Sequence, residues 1–183
     1  MLSHHILELE SMSNAVRIAL KCEIEFVREK FHRFLVTIPE ETLRSPSKDP
    51  AWTNGELLYL MSTSPRIIKS VLKKYTREKT HFQYVSKVIT GPLIQKTNEV
   101  IIRSRGRKIT RWLLAEEYDH TSMLVLELLD AVSDGDFDKT LTIPDLDPLL
   151  SGQVNIENIF HYVKDHFYTY RSQINIVKEL SEN

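Results

Sequence analysis

Apolar residues recur every three or four positions along four separate stretches of the chain, which is the spacing of one face of an α-helix. The first stretch runs from about Ile6 to Ile38, and the second opens at Trp52. The third covers about Ile109 to Val132, and the fourth covers Asn155 to Leu180. The inward face of the first stretch consists of Val16, Leu20, Ile24, Val27, Phe31, Phe34 and Ile38. Four amphipathic segments joined by polar loops predict an all-α four-helix bundle of up-down topology, and no segment requires a strand.

Capping residues and prolines indicate where these helices begin and break. Thr53 and Glu56 have the spacing of a capping box, so the second helix should begin beside them. Pro65 lies inside its apolar period and predicts either a kink or short break, which we favour, or a restart with Ser64 as a new cap. Asn155 is the expected N-cap of the fourth helix.

The segment from Thr80 to Arg107 has no clear period. Gly91 and Pro92 interrupt it, and its end, Arg103 to Arg107, should be an exposed loop. That end begins a basic run, which comprises Arg103, Arg105, Arg107, Lys108 and Arg111. We favour a solvated surface over a nucleic-acid site for this run, because no aromatic platform flanks it and the net charge of the chain is only −1.

Composition narrows the class of protein further. A chain of 183 residues fits one domain, here spanning residues 1–183, with a substantial core. The single cysteine, Cys22, excludes an intramolecular disulfide and a cysteine-based metal cluster. The N-terminus lacks the features of a secretory signal, and no apolar run approaches the ~20 residues of a membrane span. We therefore expect a soluble, cytoplasmic protein without a membrane partner.

A titratable ring falls inside the apolar stripe of the fourth helix. His166 lies where leucine or isoleucine would be usual, and Tyr170 and Gln173 follow it at spacings that keep all three on one face. They form either a site or a buried polar cluster in which the Tyr170 hydroxyl and His166 satisfy each other or the backbone. His161 lies on another face, so it should be a structural or rim residue and cannot share an ion with His166.

Two motifs resemble those of the DinB/YfiT-like superfamily. They are the run H-Y-V-K-D-H-F-Y-T-Y-R-S-Q-I in the fourth helix and the opening W-T-N-G-E-L-L-Y-L-M of the second. The resemblance extends over nearly the whole chain and implies a four-helix bundle, a homodimer and a divalent metal held by three histidines. Carried over to this sequence, the ligand positions fall on Leu60, His166 and Tyr170. Only His166 retains an imidazole, so the comparison with the family pattern implies that the metal site has been lost.

Two functional hypotheses follow. In the first, the chain is non-catalytic or binds a small molecule in the bundle interior, beside Leu60, His166, Tyr170 and Gln173, with no metal or cofactor. In the alternative, it is a transferase-like enzyme whose site has been rebuilt around His166 and Tyr170 with His120. Glu116, one turn before His120, could add a second ligand to such a site if that face of the helix turned inward. The partners expected are a small molecule and a second copy of the chain, and nucleic acid is not expected.

Overall fold

The computed structural model describes residues 2–78 and 92–176, and these ranges are mostly helical. The α-helices are α1 (Leu2–Val36), α2 (Asn54–Thr63), α3 (Ile67–Glu78), α4 (Pro92–Gly106), α5 (Arg111–Asp130) and α6 (Ile156–Arg171). Two strands, β1 (Thr140–Asp147) and β2 (Leu150–Asn155), form one antiparallel hairpin. None of the helices in the described ranges has both the length and the apolar character needed to cross a membrane. The predicted helical class is therefore confirmed, with a small sheet added.

The start of α2 and the break after it follow the predicted local signals. The Thr53 hydroxyl accepts a hydrogen bond of 3.2 Å from the Glu56 backbone N–H, and the Glu56 carboxylate accepts one of 2.8 Å from the Thr53 N–H. Pro65 lies in a short 3-10 turn, Ser64–Arg66, that separates α2 from α3. The proline has no N–H to donate, which favours a new first turn at this position. The capping box and the break are both confirmed.

The buried core takes residues from α1, α2, α3, α5 and α6 and from the hairpin. Helix α1 packs against α5 and α6, and α2 packs against the same two helices and against α4. The predicted inward face of α1 is buried from Leu20 through Phe34, with Val16 half-buried at its beginning. The apolar period of the third stretch, Ile109 to Val132, also predicts Trp112 as a core residue, and this is wrong, because Trp112 is 69% exposed near the start of α5.

The predicted polar loop between the third and fourth helices contains the hairpin, so the expectation that the fold needs no strand is wrong. Alternation over residues 140–143 places Leu141 and Ile143 towards the core and leaves the intervening threonines exposed. Leu150 is buried at the start of β2. Gly152 adopts a positive φ of 78°, which few other residues tolerate. The alternating run is only four residues long before Pro144, which makes it a weak signal in the sequence alone.

The predicted exposed loop at residues 103–107 is also wrong, because α4 continues to Gly106. A Cβ atom at Gly106 would lie 2.6 Å from the Glu56 Cα, so the glycine allows the end of α4 to approach the backbone of α2. The Arg103 guanidinium lies over the Trp52 ring at 4.6 Å and pairs with the Glu99 carboxylate at 2.8 Å. The contacts of Gly106 with Glu56 and of Arg103 with Trp52 hold the end of α4 against α2 and the loop before it, which propensity alone does not predict.

Helix α6 begins at the predicted N-cap, since the Asn155 side chain accepts a hydrogen bond of 2.8 Å from the Asn158 N–H. It ends at Arg171, earlier than the predicted end at Leu180. The backbone after it pairs with the loop before α2, because the Lys48 N–H donates to the Gln173 carbonyl at 2.9 Å. This hydrogen bond directs the backbone away from the path that a continued helix would take. Residues 177–180 of the predicted helix lie outside the described ranges.

Candidate functional site

Three rings lie one helical turn apart along the inward face of α6. The ring centroids of His166 and Tyr162 are 5.1 Å apart, and those of His166 and Tyr170 are 4.4 Å apart. Tyr162 and His166 are each 1% exposed, whereas Tyr170 is half-buried. We call these three residues the α6 ring column. The predicted proximity of His166 and Tyr170 is therefore present, and Tyr162 extends it by one turn.

The imidazole of His166 is neutral and incompletely satisfied. Burial lowers its pKa from 6.5 to about 3, because the charged form loses its hydration. Its Nε2 atom is buried and has no hydrogen-bond partner within the described residues. The bond from Tyr170 to Nε2 that a self-satisfied polar cluster would contain is therefore not formed. A buried polar atom left unpaired lowers the stability of a fold by about 1–3 kcal/mol. The unpaired Nε2 atom therefore does not stabilise the protein.

A carboxylate that the sequence pattern did not indicate lies beside the column. The Tyr162 hydroxyl donates a hydrogen bond of 2.9 Å to Asp147 Oδ2, and the Leu149 N–H donates one of 2.8 Å to Asp147 Oδ1. Asp147 ends β1, so it is the fold of the hairpin that brings it to α6. Burial and the charge of Asp147 raise the pKa of Tyr162 far above its usual value. The same two causes raise the pKa of Tyr170, so both phenols stay protonated at neutral pH.

The other predicted site residues, Leu60, Gln173 and His120, do not join the α6 ring column. Leu60 is half-buried on α2 and packs against the core. Gln173 lies beyond the end of α6, where its N–H donates to the Tyr170 carbonyl at 3.0 Å. His120 and Glu116 are exposed on α5, and no hydrogen bond or ring contact joins His120 to His166 in the part of the chain described. The structure thus brings together Tyr170 and His166, but it does not add His120 to them.

The three positions that the family resemblance assigns to metal ligands do not fit a divalent ion. Leu60 has no donor atom, and Tyr170 would have to lose a proton from a phenol whose pKa is raised. His166 alone would supply one nitrogen. Over residues 2–78 and 92–176, no group of three His, Cys, Asp or Glu side chains is arranged to hold a metal ion.

The basic run spans the end of α4 and the start of α5, and most of its side chains pair with neighbouring side chains. Arg107 Nε lies 3.3 Å from a carboxylate oxygen of Glu56, and Arg111 Nε lies 2.8 Å from one of Glu40. Arg105 donates to the Tyr59 hydroxyl at 3.1 Å. Neighbouring acidic groups therefore offset part of the positive charge that a polyanion would recognise.

Comparisons with known proteins identify the fold and no activity. The sequence matches no protein-family model and no curated protein. The structure is similar to the crystal structure of an uncharacterised protein from Clostridium difficile 630, with a TM-score of 0.62 and 14% identity over 86% of this chain and 92% of that one. It is also similar to the crystal structure of a protein from Streptococcus pneumoniae, with a TM-score of 0.59 and 18% identity over 88% of this chain and 92% of that one. At these identities the likeness establishes a common fold alone.

Proposed function

We propose that this protein is a four-helix bundle of the DinB/YfiT-like type that has lost the family metal site and binds a small molecule beside His166. The packing supports the bundle, because α1 and α2 each contact both α5 and α6. These four helices would form the bundle, and α3 and α4 would be additions to it. The residues at the former ligand positions support the loss of the metal, since a single imidazole holds divalent ions weakly.

The observation that carries this proposal is the Nε2 atom of His166, which has no hydrogen-bond partner among the described residues. Burying this polar atom without a partner is costly, and a ligand bound beside it would remove that cost. A ligand with a suitably placed N–H or O–H group would supply the missing hydrogen bond. The half-buried Tyr170, whose ring centroid lies 4.4 Å from that of His166, gives such a ligand a further polar contact nearer the protein surface.

Binding fits this group better than catalysis does. A general base is most effective when its pKa lies near the working pH, and burial moves the pKa of His166 down to about 3. The phenols of Tyr162 and Tyr170 have raised pKa values, which makes them weaker acids than free tyrosine. None of the three groups is therefore tuned to transfer a proton at neutral pH.

The proposal can be tested by thermal denaturation in the presence of a library of small metabolites. We expect at least one compound to raise the Tm of the wild type and of His120→Asn, but not that of His166→Leu. At a ligand concentration of about 100 Kd the stabilisation should be about 2.7 kcal/mol. A library in which no compound depends on His166 would overturn the proposal. Stoichiometric zinc or nickel, found by elemental analysis of protein prepared without chelators, would also do so.

We further propose that two copies of the chain associate through the exposed face of α1. Ile18, Cys22 and Phe26 follow one another at helical spacing on that face. Ile18 is 54% exposed and Phe26 is 51% exposed, and Cys22 between them is also exposed. An apolar stripe of this kind is typical of a surface that is covered by a partner. Light scattering should give the mass of two chains for the wild type and of one chain for Phe26→Glu. A wild-type mass equal to one chain would refute the homodimer.

A further inference from the structure

We propose that the two α1 helices of the homodimer cross antiparallel at Cys22, with Phe26 of each protomer packed into a hole on the α1 helix of the other. This inference rests on the proposed homodimer and adds the arrangement of its two chains. Three features of the outer face of α1 carry it, namely a hole formed by four residues, an aromatic ring one turn beyond it and charged flanks that are already paired.

The hole consists of four exposed residues on the outer face of α1, at the spacing i, i+3, i+4 and i+7. They are Ala15, Ile18, Ala19 and Cys22. Side chains at this spacing surround one depression on a helix surface, and in coiled coils such a depression receives one side chain of the facing helix. Two alanines and a cysteine leave room in it for a large ring. We call these four residues the α1 hole.

Phe26 is a side chain large enough to fill such a hole, and it follows Cys22 by one turn on the same face. It is 51% exposed, although Lys30 Nζ lies 5.1 Å from the centre of its ring. A half-exposed phenylalanine leaves apolar surface in water that a partner can cover. A second copy of the chain is the occupant that fits this face, because one helix presents both the ring and the hole.

The positions of the ring and the hole require the two helices to run in opposite directions. The centre of the α1 hole, between Ile18 and Ala19, lies about one turn before Cys22, and Phe26 lies about one turn after it. A two-fold axis beside Cys22, perpendicular to the helices, therefore places Phe26 of each protomer on the α1 hole of its partner. In a parallel pair in register, each Phe26 would face its own copy and both holes would stay empty.

Charged residues that flank this face are paired within the protomer. Lys21 Nζ lies 2.6 Å from Asp130 Oδ1, and Arg28 Nε lies 2.8 Å from Glu25 Oε2. A partner that covers the face therefore has no need to supply counter-charges to these groups. The apolar outer face of a second α1 meets that condition, whereas a strongly charged partner would gain little from these flanks.

The first experiment uses two variants that each damage one part of the contact, and a mixture that restores it. Phe26→Ala removes the ring from both protomers, and Ala19→Phe fills both holes, so each should raise the Kd of the homodimer at least about tenfold. In an equal mixture, Phe26 of one chain enters the intact hole of the other. At the second contact, the ring added by Ala19→Phe occupies the space that Phe26→Ala leaves.

Light scattering measures the outcome at a protein concentration above the Kd of the wild type and below those of the two variants. We expect the mass of one chain for each variant alone and of two chains for the mixture. Arg33→Ala is the control, because the Arg33 side chain is 74% exposed two turns beyond Phe26, and this variant should remain dimeric. A monomeric mixture, a dimeric Ala19→Phe variant or a monomeric control would contradict the packing of Phe26 in the α1 hole.

Oxidation with diamide tests the direction of the helices, because the chain has a single cysteine. Each disulfide between two Cys22 thiols transfers two electrons and two protons to diamide, and it requires Cα atoms about 4.4–6.8 Å apart. We expect a disulfide-linked dimer for the wild type and about a tenth as much for Phe26→Ala. In Cys22→Ser combined with Arg33→Cys, the new thiols would lie about 33 Å apart along antiparallel helices and should not link. A link in that double variant, or none in the wild type, would overturn the antiparallel crossing.

Failure of this inference can be told from failure of the proposed homodimer. If the wild type has the mass of two chains but the mixture or the oxidation gives the contrary result, the homodimer stands and the crossing at Cys22 is wrong. If the wild type has the mass of one chain, both are wrong. The circular dichroism spectrum and Tm of each variant establish that it is folded before its mass is compared.

Discussion

The side-chain amide of Asn54, at the start of α2, forms two hydrogen bonds of 2.9 Å with the backbone of Asn175, beyond the end of α6. Nδ2 donates to the Asn175 carbonyl, and Oδ1 accepts from the Asn175 N–H. Nδ2 also donates to the Thr42 carbonyl at 3.0 Å. Asn54 is fully buried, so its amide holds two distant segments together in place of a continued helix.

Replacing Asn54 by alanine should lower the free energy of unfolding by about 2–3 kcal/mol, because the Asn175 N–H and the carbonyls of Asn175 and Thr42 lose their partners. Urea denaturation measures the change. The control is Asn158→Ala, which removes an exposed side chain of α6. This control should change the free energy of unfolding by less than about 0.5 kcal/mol. Equal stability of the two variants would show that the Asn54 bonds contribute nothing net.

The close approach of α4 to α2 depends on Gly106. An added Cβ would lie 2.6 Å from the Glu56 Cα, and a backbone atom cannot move aside as a flexible side chain can. We expect Gly106→Ala to lower the free energy of unfolding by about 1–3 kcal/mol through overpacking. In Gly135→Ala the new Cβ meets no atom within 4 Å, so this control should be nearly neutral in the same urea titration. A neutral Gly106→Ala would mean that α4 is not held against α2 in solution.

The sequence predicted those parts of the fold that local rules determine. The long apolar period of α1 identified Leu20, Ile24 and Phe31 as core residues, and the Thr53/Glu56 spacing located the start of α2. The end of α6 and the continuation of α4 to Gly106 depend instead on contacts between distant segments. Such tertiary contacts override local propensity, and no window of neighbouring residues contains them.

The candidate site divides in the same way. The four-residue spacing of His166 and Tyr170 indicated that they would meet, and extending that spacing backwards by one turn would have found Tyr162. Asp147 could not be found by spacing, because it reaches α6 only through the β1–β2 hairpin. The alternation that forms the hairpin is short and ends at a proline. The sequence signal that would have placed Asp147, the site's only carboxylate among the described residues, was therefore weak.

Acid should destabilise the protein through His166. Its pKa is about 3 in the folded chain, against an ordinary value of 6.5, so between these values only the unfolded chain binds the proton. This difference in pKa contributes to the free energy of unfolding. The contribution has its full value above about pH 6.5 and decreases by about 1.4 kcal/mol for each pH unit below that. His166→Leu should therefore show a shallower loss of stability between pH 6.5 and 3.

Urea titrations at several pH values measure this slope, and carboxylates that titrate in the same range affect wild type and variants alike. His120→Asn, which changes an exposed imidazole, should follow the wild-type profile. Parallel profiles for wild type and His166→Leu would show that the His166 imidazole keeps an ordinary pKa in the folded protein.

The hydroxyl of Tyr118 should be dispensable. Its ring stacks on that of Phe31 with the centroids 4.0 Å apart and an interplanar angle of 6°, but its buried hydroxyl has no partner within the described residues. Tyr118→Phe keeps the stack and removes the unpaired group, so the free energy of unfolding should stay equal or rise by up to about 1 kcal/mol. Tyr162→Phe is the matched contrast, because the Tyr162 hydroxyl donates to Asp147. This variant should lower the free energy of unfolding by about 2 kcal/mol. An equal loss in both variants would mean that the Tyr118 hydroxyl is hydrogen-bonded in solution.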